Sequence, residues 1–141
     1  MKKIIIFLAA TSSLLLAELP SYQCVDTHEA NFITHKGDIE PKVKETSHRS
    51  KLNVSLVVDS KESKKYIKSL RVNGNDFHVT MVSGGYVYAV EFTAVAMNTW
   101  VFFENKNGDI HLTLSKTYKF FGAPMTSYSL YSCEKVNNSF L

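Results

Sequence analysis

Leu70-Arg71-Val72-Asn73-Gly74-Asn75-Asp76-Phe77-His78-Val79-Thr80-Met81-Val82-Ser83-Gly84-Gly85-Tyr86-Val87-Tyr88-Ala89-Val90-Glu91-Phe92 is the stretch that decides the fold class. Asn73-Gly74 is the strongest short-range signal for a hairpin, because both residues accept the positive φ of a type I′ turn. Beyond it Phe77, Val79 and Met81 alternate with His78 and Thr80, until Ser83-Gly84-Gly85 turns the chain again. Tyr86, Tyr88, Val90 and Phe92 then alternate with Val87, Ala89 and Glu91. Alternation with a period of two marks a strand with one buried face.

The same punctuation continues on both sides. Upstream, Leu52, Val54, Leu56 and Val58 alternate with Asn53, Ser55 and Val57. Downstream come an aromatic strand at Thr99 to Phe103, a turn at Asn105-Lys106-Asn107-Gly108, and Ile110, Leu112 and Leu114 alternating with His111 and Thr113. A last strand, Tyr128 to Cys133, follows a break at Gly122-Ala123-Pro124. Turns recur about every 10 to 12 residues, too close for crossover helices between parallel strands. The pattern predicts an all-β chain, a small antiparallel meander of about eight strands. Its edges must be closed or covered.

Two segments read less cleanly. Asp59-Ser60-Lys61-Glu62 matches a capping box, so residues 60–69 could form one short helix. The run of Leu70-Arg71-Val72 into Asn73-Gly74 favours a strand at 66–72 instead. Near the N-terminus, Tyr22 to Asp26 and Asn31 to Thr34 read as short strands. Residues 35–50 read as a polar connection without clear structure, a length that often carries function.

Met1-Lys2-Lys3, an apolar run and Ala17 have the layout of a secretory signal. The apolar part is roughly 14 residues long, short of the ~20 a spanning helix needs. Residues 1–17 are therefore expected to be a signal peptide and 18–141 a single domain, periplasmic or secreted. Membrane contact is expected only through this segment, should it stay uncleaved. The chain carries 16 Lys+Arg against 13 Asp+Glu. Without Lys2 and Lys3 the balance falls to 14 against 13, which excludes nucleic acid as a leading partner. The two cysteines, Cys24 and Cys133, read as one disulfide in an exported protein. It would tie the first strand to the last.

At the level of architecture, alternating strands closed by such a bond resemble a small lipocalin-like barrel or strongly curved sheet. No motif supports that likeness, and fold does not imply function.

No catalytic signature is present: G-x-S-x-G and H-E-x-x-H are both absent. Asp26, His28, Glu29, His35 and His48 match no standard ligand spacing, so no metal and no cofactor is expected. His78 and His111 are expected on the solvent face. The aromatic residues carry the best hint of a binding site. Tyr86, Tyr88, Phe92, Trp100 and Phe102 are expected on the inner faces, either filling the barrel or lining a small pocket. On that reading Glu91 faces outward. If the other face of its strand is the interior, Glu91 becomes the first residue to test. A second run, Tyr118, Phe120, Phe121, Tyr128 and Tyr131, reads as core packing or as a partner patch. The expected function is an exported, non-enzymatic binding or accessory protein whose partner is an unknown protein. The alternatives are a carrier of a small apolar ligand in a barrel cavity and a hydrolase inhibitor acting through an exposed loop.

Overall fold

A computed structural model describes residues 20–35, 38–45, 50–61, 64–120 and 123–136. The proposed signal segment and its cleavage point lie outside them. The described residues form nine antiparallel strands and no helix: β1 (Ser21–His35), β2 (Asp38–Glu45), β3 (Lys51–Lys61), β4 (Lys64–Val72), β5 (Asn75–Ser83), β6 (Tyr86–Phe92), β7 (Ala96–Glu104), β8 (Ile110–Phe120) and β9 (Ala123–Val136). The strand order is β2-β1-β3-β4-β5-β6-β7-β8-β9, with β1 also paired to β9. Eight strands therefore close into a barrel, and β2 is one strand extra.

Closure is confined to one part of β1. Residues 21–25 pair with β3 on one edge and with β9 on the other. Past a bulge between Asp26 and His28, β1 pairs with β2 instead of β3, while β9 stays alongside. The barrel is thus a closed ring on one side and an open sheet, β6-β7-β8-β9-β1-β2, on the other. That open end is here termed the mouth.

Cys24 lies directly opposite Cys133 in the β1–β9 ladder, and the two form a disulfide. Around it the interior is filled by Val54, Leu70, Trp100, Phe102, Leu112 and Tyr131, all buried. Burial of such side chains at about 25 cal/mol per Å² of apolar surface is the main force holding the ring.

The sequence expectations change in three places. Residues 64–72 are strand, so the helix alternative at 60–69 is overturned for that part. The ladder from the Asn73-Gly74 turn continues back along β4 and recruits Lys64 and Lys65 against β3. The two short N-terminal strands are one strand of 15 residues. Polar Thr27 looks like a break but occupies a bulge, where one extra residue is accommodated without ending the ladder. Residues 38–45, expected to be irregular, form β2. Its charges and Pro41 disguise it, and both are what an edge strand carries to discourage further pairing.

Candidate functional site: the polar mouth of the barrel

Along each strand the inward-facing series changes character toward the mouth. On β6 it runs Val87, Ala89, Glu91; on β7, Phe102, Trp100, Asn98; on β8, Leu112, Leu114, Lys116. On β9 it runs Cys133, Tyr131, Ser129, Ser127. The registers align the polar residues directly, giving one row across six strands: Glu91, Asn98, Lys116, Ser127, Asn31 and Lys42. Ala96, Tyr118 and Met125 are in register one step beyond it, so the row is a polar band in an otherwise apolar wall, able to hold a polar group without taking it into the core.

The β6 end of the row is set by the β6–β7 turn. Thr93 donates its N–H to the Ala96 carbonyl at 2.9 Å, and its Oγ1 accepts from Ala96 N at 3.0 Å. This closed turn fixes Glu91 opposite Asn98. Asn98 Nδ2 donates to Glu91 Oε2 at 2.6 Å, a charge-assisted bond. Asn98 is 7% exposed, and its Oδ1 is buried with no hydrogen-bond partner. Trp100, one row deeper at 8% exposure, likewise has a buried Nε1 with no partner. Buried polar atoms are nearly always paired; of the three exceptions among the described residues, two are neighbours on this strand and the third is His111 Nδ1 on the outer face.

Beside this pair the sheet parts. The β5–β6 ladder ends at His78 and Val90, and beyond it lies an open cleft of about 430 Å³ lined by Asn75, Asp76, Phe77, His78, Val90 and Glu91. The Phe77 ring packs 5.4 Å from that of Trp100, so the cleft floor rests on the core. On its rim Arg71 forks onto Asp76, at 2.6 Å from Nε and 3.0 Å from Nη2. That hydrogen-bonded pairing holds the Asp76 carboxyl below its ordinary range. Across the mouth Lys44 pairs with Glu29 at 3.1 Å, and Asn31 Nδ2 donates to Glu29 Oε1 at 3.3 Å.

Deeper still, buried Asp26 accepts from Ser50 N at 2.6 Å. Tyr131 stands near it, its phenol pushed up first by burial and then by the Asp26 carboxylate. Among the described residues, no three His, Cys, Asp or Glu side chains are grouped so as to hold a metal ion.

The aromatic residues expected inside divide. Trp100 and Phe102 are in the interior. Tyr86, Tyr88 and Phe92 are on the outer surface, because the inward series of β6 is Val87, Ala89 and Glu91. The reason is space: Trp100 and Phe102 face those positions directly, and an interior filled by two large rings accepts only small partners opposite. Outside, Tyr86 stacks on Phe103 at 5.0 Å and on Tyr88 at 6.3 Å. His78 is exposed, as expected. His111 also lies on the outer face, half-buried against Phe103 at 5.5 Å.

Asn98 was not distinguishable by sequence pattern. Its one signal is its symmetry with Glu91 about the Thr93–Ala96 turn, which is visible only once the register is known. No protein-family model, curated protein or solved structure matches the chain.

Proposed function

We propose that this chain is an exported, non-catalytic binding protein that holds a polar ligand at the mouth of its barrel. The observation that carries the reading is the polar row across six strands, with an unpaired, buried amide oxygen near its β6 end. Glu91 and Asn98 Oδ1 offer acceptors, while Lys42, Lys116 and Asn31 offer donors. Such a set orients a polar group and discriminates against analogues that leave it unpaired. The packing of Trp100, Phe102 and Leu112 in the interior argues for the rim over an internal cavity for an apolar ligand. Export is supported by the signal-like N-terminus and by the disulfide, which is consistent with an oxidising compartment.

The single tryptophan gives the test. Trp100 fluorescence is followed during titration with free amino acids, hexoses and medium-chain fatty acids. The expected result is a saturable change with a polar solute, lost in Asn98→Leu. That variant also removes the donor that Asn98 gives Glu91, so it should unfold at a lower urea concentration than the parent, by up to about 1.5–3 kcal/mol, and circular dichroism confirms that it is folded during the titration. Saturable binding of fatty acid only, unaffected by Asn98→Leu, would refute the mouth and favour an internal apolar site.

A further inference from the structure

The open sheet at the mouth differs from the closed ring on its outer face. In β6-β7-β8-β9-β1-β2 the inner face carries the polar row just described, with Ala96, Tyr118 and Met125 in register beyond it. The outer face mixes apolar side chains with Ser and Thr and is nearly free of charge. One outer row reads Val90, Thr99, Ser115, Tyr128, Ala30 and Val43. The next reads Phe92, Met97, Thr117, Thr126 and Phe32. A third passes through Tyr88, Val101, Thr113, Leu130 and His28, and the first charge it meets is Glu45 at its β2 end.

These three rows hold no lysine, arginine, aspartate or glutamate before Glu45. On a surface that is typically ~25–35% charged, about four or five would be expected. The opposite half of the barrel has them: Lys51, Asp59, Lys65, Lys68, Arg71 and Asp76 are all exposed. The apolar side chains on this face are strongly accessible, with Phe92 at 77%, Val43 at 69%, Met97 at 42%, Tyr128 at 41% and Phe32 at 39%. They flank a middle of Thr99, Ser115, Thr117 and Thr126, and so many exposed apolar groups on one uncharged face are unusual in a soluble monomer.

We propose that this face is covered by a second copy of the chain, packed sheet on sheet. Three observations select that occupant. A face without charge offers no electrostatic complementarity to a different protein, whereas a two-fold dimer sets the face against a copy of itself, where any charge would be buried without an opposite partner. Three rows across six strands span roughly 29 by 20 Å. Two copies would therefore bury on the order of 1,100 Å², enough for a specific interface. The competing route, strand addition at the free edge of β2, is opposed by Pro41, which cannot donate to a new ladder. Sheet faces of this kind pack about 10 Å apart with strands near −30°. The two mouths then open away from the interface, so ligand binding and pairing are independent.

Sedimentation equilibrium of the protein recovered from the exporting cell tests this. Twice the chain mass is expected at micromolar concentration. Tyr128→Lys and Phe92→Lys, both at exposed positions, should each weaken the dimer at least about tenfold by burying a charge against an uncharged face. Lys65→Glu on the charged half should leave it unchanged. Circular dichroism confirms that each variant is folded. A monomer at about 100 µM, which bounds any useful affinity, overturns the proposal. So does a dimer indifferent to both face variants, or a monomer that instead co-sediments with phosphatidylcholine vesicles.

Discussion

Tyr131 shows how one buried polar group makes stability depend on pH. Its ring sits in the core at the level where the inner wall turns polar, and its phenol is raised from the ordinary 10.0 by burial and by Asp26, with Ser129 partly offsetting through a hydrogen bond. A raised phenol means that the fold binds the proton more tightly than the unfolded chain does. The associated stability is complete below the unfolded value near 10 and is lost as pH rises through the higher folded value. Urea unfolding at pH 8 and above pH 10 should show the parent losing stability faster than Tyr131→Phe. Parallel losses in the two proteins would mean that Tyr131 is not the coupled group. At the same scale, Glu91 was legible as an exceptional mid-strand carboxylate, but its direction was not. Alternation fixes that Tyr88 and Glu91 face opposite ways; it does not say which way is in.

Among the elements, the β4–β5 hairpin was the most legible. Asn73 and Gly74 adopt φ of 49° and 84°, the pair of left-handed positions that a type I′ turn requires. The turn is also tied to the neighbouring strand: Asn53 N donates to Asn73 Oδ1 and Asn73 N donates to the Asn53 carbonyl, both at 2.8 Å. A methyl added at Gly74 meets nothing within 4 Å. Gly74→Ala should therefore cost about 1–2 kcal/mol, through backbone conformation alone. A chemical denaturation curve showing no loss would mean that the turn relaxes to another type. β2 was the least legible element. Edge strands bury little, so selection for alternating apolar residues is weak there and the sequence pattern fades.

For the molecule as a whole, the Cys24–Cys133 bond joins strands that are neighbours in space and 109 residues apart in sequence. Cross-linking so long a loop restricts the unfolded chain, for an upper range of about 4–5 kcal/mol. Replacing both cysteines by alanine should lower the denaturant midpoint by most of that amount while leaving the all-β circular dichroism intact at low temperature. A double variant as stable as the parent would show that ladder pairing alone closes the ring.

The sequence by itself determined the strand class, the antiparallel succession of strands and turns from β3 onward, and the pairing of the two cysteines. Each of these is local or combinatorially forced: φ preferences at Asn73-Gly74, a period of two, short connections, and only two cysteines. The tertiary structure alone decided which face of β6 is the interior, that β1 changes partner at Thr27, and that the outer rows of the open sheet meet no charge before Glu45. Those outcomes depend on the register between distant strands and on the volume left by Trp100 and Phe102. No strand carries that information within its own residues.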